Sequence, residues 1–340
     1  MGKSLKVLAL FDVGEPVERG HDFSEDFKLP AWKSEAHVFR GLKSLGHEVR
    51  ALGLHDDLHQ LVDEIKDFRP DVVFNLMEEF NKEASMVPNV VAVLEMLQVP
   101  YTGASPMGLR LCKDKALTKT ILTQQGISNP PFQVFDRDKI VKKAGGLNYP
   151  LVLKPMVDDA SYGIHQTSVV YDDEQLAERA KLIHEKGQDA LAEEYVKGRE
   201  LYVSVLGTKR LRVFPIREVR FGRLADDTAE PVASYKVKWD KSYRRKWNIT
   251  YGYASDLDEA LTARIQDMAR AAFRALHLTG YARVDMRLTP DNEPAILEVN
   301  PNPYIAKDED FAQSAKKGGR SWKQLLQAII NEALSLPDDE

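Results

Sequence analysis

The chain has 340 residues, enough for two or three domains whose cores stand without covalent staples. A hydrophobic share of 43%, a charged share of 29% and a formal net charge of -5 are those of an ordinary globular protein and exclude a general pull toward nucleic acid or anionic membrane. One cysteine, Cys112, excludes an intramolecular disulfide framework and a multi-thiolate metal centre.

The first apolar run, Leu5–Phe11, lacks the long apolar region and small-residue cleavage site of a signal peptide. It runs into polar Asp12 and Gly14, and no apolar run is long enough to cross a bilayer, so a cytoplasmic enzyme is expected. Leu5–Phe11, Glu48–Gly53 and Asp71–Leu76 read as strands, and Val99–Tyr101 as a short edge strand. Between them a helix capped by Ser34 carries Val38, Leu42 and Leu45 on one stripe and stops at Gly46. Strands alternating with helices predict a doubly wound parallel sheet, an α/β domain over residues 1–112.

From Lys113 the texture changes. Lys113–Gln125 reads as a helix, Pro130-Pro131 breaks the chain, and Phe132–Phe135, Leu151–Lys154, Thr167–Tyr171 and Ala190–Val196 read as strands around a helix at Glu174–Lys186. This predicts an α+β unit over 113–199. A second α+β unit, 200–340, is expected to be mostly strand until one long helix, capped by Ser255 or Asp256, with Leu257, Leu261, Ile265, Met268, Ala272 and Leu276 as its stripe.

After that helix, Tyr281–Leu288 alternates Ala282, Val284, Met286 and Leu288 against Arg283, Asp285 and Arg287. Ala295–Asn300 is expected to set Ala295, Leu297 and Val299 against Ile296, Glu298 and Asn300. With a turn at Pro290–Glu293, Asp285 lies opposite Glu298 and Arg283 opposite Asn300. Like charges facing each other across a sheet are destabilising. Two carboxylates and an amide oxygen are also a ligand set for a hard cation, which would turn repulsion into coordination. A solvated strand face explains the same charges, and the hairpin alone leaves both readings open.

Further motifs bear on the choice. Tyr149–Pro155, Glu193–Glu200, Arg283-Val284-Asp285 and Leu297–Asn300, with Phe74–Leu76, Val99–Gly103 and Lys113–Lys119 before them, occur in an order that resembles the ATP-grasp ligases. The chain is similar in particular to the D-alanine–D-alanine ligase group, over nearly its whole length. The resemblance implies an N-terminal domain followed by two subdomains that sandwich ATP, with Mg²⁺ as the metal and Mn²⁺ able to replace it. It puts Lys115 and Lys154 on ATP phosphates, and Ser161 and Gly163 in a phosphate-covering loop. Glu193, Glu194, Tyr195 and Val196 would hold adenine, mainly through backbone groups, Glu200 the ribose hydroxyls, and Leu297 would also bind the nucleotide. Asp285, Glu298 and Asn300 become the metal ligands, and Arg283 the group that stabilises an oxyanion.

The basic and aromatic stretch Tyr235–Tyr253 could be a single-strand nucleic-acid platform or a solvated loop. By the resemblance it is a mobile active-site loop that brings Lys238 to the terminal phosphate, and neither nucleic acid nor membrane is expected as a partner. The implied reaction joins a small-molecule carboxylate to an amine through an acylphosphate; a nucleotide-binding regulator without turnover is the alternative. A homodimer follows by analogy alone.

The substrate side departs from the D-alanine pattern. The phosphate-loop Gly-Ser-Ser is Asp159-Ala160-Ser161, the loop tyrosine is Trp239, and the Asn-Thr-x-Pro-Gly exit is Asn300-Pro301-Asn302-Pro303-Tyr304. The Gly-Gly-x-Ser-x-Glu start is absent, though Ser34-Glu35 supplies a carboxylate on the first helix. Glu35, Trp239 and Asn302 are therefore the substrate candidates, and a carboxylate–amine pair other or broader than D-alanine is expected.

Overall fold

The computed structural model of the chain describes residues 4–156, 165–224 and 230–335. Strand β1 (Lys6–Asp12) is buried from Val7 to Phe11, as a strand covered on both faces must be. Two 3₁₀ turns, Asp26–Lys28 and Pro30–Trp32, lead into α1 (Lys33–Ser44). The expected Ser34 cap is corrected: the Pro30 turn runs straight into the helix, so Trp32 is the cap and Ser34 is a buried first-turn residue. Gly46, at φ +90, follows the helix end as expected.

Next come β2 (Glu48–Leu54), α2 (Leu58–Phe68, capped by Asp57) and β3 (Val72–Asn75). The three strands form a parallel sheet in the order β2-β1-β3, and Tyr101 bridges to Val73 at its edge. Helices α3 (Val87–Met96), α4 (Pro106–Lys113) and α5 (Lys115–Gln124) follow. The single helix expected over Lys113–Gln125 is split at Asp114, whose extended backbone ends α4 and whose carboxylate accepts from Leu117 N–H to start α5.

The second sheet holds β4 (Phe132–Phe135), β5 (Leu151–Pro155), β6 (Val169–Val170) and β7 (Ala190–Glu194), with α6 (Asp173–His184) packed behind. Its order is β4-β7-β5-β6, all antiparallel. Of the strand expected at Thr167–Tyr171 only two residues form. Ser168 Oγ accepts from His165 N–H at 3.0 Å and closes a 3₁₀ turn over Gln166–Ser168 instead.

The third sheet is built from β8 (Arg199–Leu206), β9 (Arg212–Val213) and β10 (Arg217–Arg220). Two short helices, α7 (Tyr235–Trp239) and α8 (Lys241–Trp247), stand where mainly strand was expected. Asp240 ends the first and caps the second, accepting from Ser242 and Tyr243 N–H. Strand β11 (Thr250–Tyr253), the long helix α9 (Glu259–Ala275), β12 (Tyr281–Leu288) and β13 (Pro294–Asn300) complete the sheet in the order β11-β10-β8-β12-β13, with β9 beside β8.

The cap of α9 is Asp258, accepting from Leu261 N–H at 2.7 Å, not Ser255 or Asp256. Asp256 is drawn away into an ion pair with Arg199 at 2.8 Å. Gly280 has φ +69, and a Cβ there would meet the backbone of Gly103 at 2.8–3.1 Å, so the third sheet approaches the first segment too closely for any side chain.

Helices α10 (Asp310–Lys317) and α11 (Trp322–Leu334) end the described chain. Leu325, Leu326, Ile329 and Ile330 of α11 bury against Val38, Leu42 and Phe74, so the last helix covers one face of the first sheet. The opposite face, through Leu8 and Leu10, shares a core with Leu201, Val203 and α9. Among the described residues no helix is long and apolar enough to cross a membrane.

Candidate active site

The hairpin has the expected register: Arg283 faces Asn300 and Asp285 faces Glu298. The register then shifts, because Met286 faces Ile296 and leaves Leu297 as an extra residue. This corrects the alternation expected for β13. Ile296 is fully buried in the core, and the bulge turns Leu297 toward the same cleft as Glu298.

Arg283 grips Asp285 with two hydrogen bonds, Nε at 2.6 Å and Nη2 at 2.9 Å, and lies 4.8 Å from the centre of the Tyr202 ring. Lys238, on α7, brings Nζ to 3.8 Å from Asp285 Oδ2. Burial pushes the Asp285 carboxyl up, against the pull of Arg283. Burial also opposes ionisation of Glu298, but Lys238, Lys115, Lys154 and Arg283 outweigh it and hold that carboxyl down. Asn300 Oδ1 accepts from Asn302 N–H at 3.0 Å.

Among the described residues no group of three His, Cys, Asp or Glu side chains comes together as a metal centre. The hairpin set is smaller, two facing carboxylates and one amide. That suits Mg²⁺, which takes one or two carboxylates and completes its shell with phosphate oxygens and water.

Across the cleft, Lys154 at the end of β5 pairs with Oε1 of Glu193, and Lys119 of α5 pairs with Oε2 at 2.8 Å. All three side chains are buried. Burial disfavours a charged Glu193, yet the two lysines prevail and hold its carboxyl down at about 2. Lys115, at the first turn of α5, donates to Met156 O at 3.4 Å. Ser161 and Gly163 lie outside the described residues.

Between the second and third sheets lies a cleft of about 540 Å³. Its lining includes Glu193, Glu194, Tyr195 and Val196, Glu200, Asp285 and Arg287, and Lys154, Lys238, Leu297 and Glu298. The Glu194 side chain turns out to Asn148, accepting from its N–H and Nδ2 at 2.8 and 2.9 Å. Glu200 is held by Arg287 through Nη2 at 2.7 Å and by the Tyr202 hydroxyl at 3.0 Å. Arg287 also donates to Tyr195 Oη and to the carbonyls of Gly198 and Pro231.

The sequence motifs missed Arg287 and Lys119. Arg287 had a usable signal, since it alternates with Arg283 and Asp285 on the site face of β12. Lys119 had none beyond its place in Lys113–Lys119, because burial of a lysine depends on what faces it.

The substrate candidates gather apart from this cleft. Glu35, Ser34, Glu78, Asn302 and Tyr304 border a second, smaller hollow. Asn302 ties it together, accepting from Tyr281 Oη at 2.9 Å and donating to Met77 O at 3.0 Å. Trp239 packs edge-on against Tyr304, ring centres 5.0 Å apart, so α7 touches the rim of this cavity. Burial, with the charge of Asp12 adding to it, pushes the Glu35 carboxyl up to about 7.

A family profile described as the D-ala D-ala ligase C-terminus matches residues 121–331. An uncharacterised protein of Sinorhizobium fredii is 33% identical over 263 residues, 77% of this chain and 74% of that one. D-alanine–D-alanine ligase of Bordetella petrii is 33% identical over 246 residues, 71% and 70% of the two chains. The crystal structure of D-alanine–D-alanine ligase from Bacillus anthracis complexed with ATP superposes with a TM-score of 0.74 at 22% identity, covering 97% of this chain and 98% of that one, and shares the fold. The chain belongs to the D-alanine–D-alanine ligase family, ATP-dependent ligases of the ATP-grasp fold.

Proposed function

We propose that this chain joins a small-molecule carboxylate to an amine through an acylphosphate, consuming ATP with Mg²⁺ and releasing ADP and phosphate. The observation that carries the reading is the convergence of Lys154, Glu200, Lys238, Asp285 and Glu298 on one cleft. The Glu193–Val196 segment and Leu297, which line the cleft, would receive adenine, and Glu200 the ribose hydroxyls. Lys115, Lys154 and Lys238 would meet the phosphates as compact cations, with Ser161 and Gly163 closing over the terminal one. Asp285, Glu298 and Asn300 would hold Mg²⁺ or Mn²⁺, which supplies neutralisation of the phosphate charge when bound.

A carboxylate oxygen attacks the γ-phosphorus and ADP leaves. The amine nitrogen then attacks the acyl carbon, and phosphate departs with the former carboxylate oxygen as the nitrogen loses a proton. Arg283, which grips Asp285 of the cleft, would stabilise the oxyanion of the tetrahedral intermediate. The buried carboxyl of Glu35 and the amide of Asn302 would receive the amino group of a substrate, with Trp239 and Tyr304 as its aromatic wall. Their setting favours a pair other or broader than D-alanine. The three units, 1–112, 113–199 and 200–340, would close around these ligands in a cytoplasmic enzyme, as a homodimer. With ¹⁸O in the donor carboxylate, one label must appear in the released phosphate; label-free phosphate would reject the acylphosphate.

A second reading, a nucleotide-binding regulator without turnover, is favoured by one observation: both oxygens of Asp285 accept from Arg283. It requires nucleotide binding with no acceptor-dependent release of ADP.

A further inference from the structure

Lys119 sits one helical turn beyond Lys115 on α5, buried, and outside the lining of the main cleft. Its ammonium lies 2.8 Å from Glu193 Oε2, while Lys154 holds Oε1 of the same carboxylate. Within these direct contacts Lys154 and Glu193 already neutralise each other, and buried Glu298 acts on both lysines from further off. A second buried cation carries a desolvation penalty that a single shared carboxylate does not offset. Burial accordingly pushes the Lys119 pKa down, with Glu193 and Glu298 opposing and Lys154 adding to the push. The cluster of two lysines and one glutamate carries one more positive than negative charge in direct contact, beside a cleft that Lys154 and Glu298 both line, and a polyanion would complete it.

We propose that Lys119 is a positioning residue: by occupying Glu193 Oε2 it stops Glu193 from cancelling the charge of Lys154, and keeps that charge available to the triphosphate of a nucleotide in the cleft. The inference rests on the nucleotide reading of the cleft given above. A lysine that merely ties α5 to β7 would matter equally to every ligand of the cleft, whereas charge relief matters only to ligands that carry phosphate.

The test is titration calorimetry of the full chain with ATP and with adenosine, for wild type, Lys119→Met, Lys119→Arg and the double variant Lys119→Met/Glu193→Gln. Wild type binds ATP more tightly than adenosine. In Lys119→Met the ATP affinity falls about tenfold, the order of effect of a unit charge roughly 10 Å away at an effective dielectric constant of about 20, while adenosine affinity is unchanged. Lys119→Arg keeps the preference for ATP. The double variant, in which Lys154 again has no charged partner to cancel it, recovers that preference, and it serves as the test if Lys119→Met does not fold. An equal loss for ATP and adenosine, an unchanged ATP affinity in Lys119→Met, or no recovery in the double variant would overturn the inference. Wild type that fails to prefer ATP over adenosine would instead contradict the nucleotide reading itself.

Discussion

Arg287 connects four parts of the cleft at once: the carboxylate of Glu200, the hydroxyl of Tyr195 and the carbonyls of Gly198 and Pro231. Both charged partners are nearly inaccessible to water, so removing one leaves the other charged and alone in the interior. Arg287→Met should cost about 3–5 kcal/mol, read as a lower urea midpoint. Glu298 is likewise buried among opposite charges, with Lys238, Lys115, Lys154 and Arg283 holding its carboxyl down. Glu298→Gln strips the counter-charge from those cations, so it should lower the urea midpoint, and in the folded protein it should lower turnover by at least about a hundredfold, since it removes a charged oxygen from the proposed metal edge. Retained turnover in this variant would remove the metal assignment.

Glu35 gives a prediction with a sign. Its folded pKa of about 7 lies above the ordinary 4.5, so the native state binds its proton more tightly than the unfolded chain. The resulting stability is fully present below pH 4.5 and is lost as pH rises through 7. Glu35→Gln, which keeps the shape and cannot ionise, should therefore match wild type near pH 4.5 and be more stable by about 2–3 kcal/mol at pH 8. Urea denaturation of both proteins at the two pH values checks this, and equal stability at pH 8 would show that the carboxyl is solvated.

At the scale of elements, the hairpin was legible because strand alternation and a turn fix register, and a one-residue slip would send every side chain to the other face. The bulge at Leu297 was not legible, since an extra residue in one strand leaves no mark on composition. Helix starts failed for a different reason. Ser255, Asp256 and Asp258 are all good caps, and the choice was made by Arg199, a strand residue far along the chain that binds Asp256. Asp258→Ala should accordingly cost about 1 kcal/mol, whereas Ser255→Ala should cost almost nothing, measured by thermal or urea unfolding. The two short helices between Ser234 and Asn248 escaped notice because each is too brief for an apolar stripe to repeat.

At the scale of the molecule, three sheets in chain order were readable from the change from parallel to antiparallel patterning. The return of α11 to the first sheet was not, because its apolar stripe does not say which surface it covers. The main cleft was legible where motif and geometry coincide, at Lys154, Glu193–Val196, Glu200, Asp285 and Glu298. Arg287 and Lys119 were missed because their importance comes from the carboxylates they face. The second hollow stays chemically distinct from the main cleft: it is small and acidic, rimmed by Tyr304 where the resemblance leads one to expect glycine.

The most direct measurement is release of ADP and phosphate by the full chain with ATP and Mg²⁺ across a panel of D- and L-amino acids and simple amines, followed by product mass. The account predicts ADP release that depends on a carboxylate–amine pair, with a product one water lighter than the two substrates together and a pair other or broader than D-alanine with itself. Formation of D-alanyl-D-alanine alone would contradict the substrate argument, and ADP release independent of any acceptor, or none at all, would contradict the ligase reading.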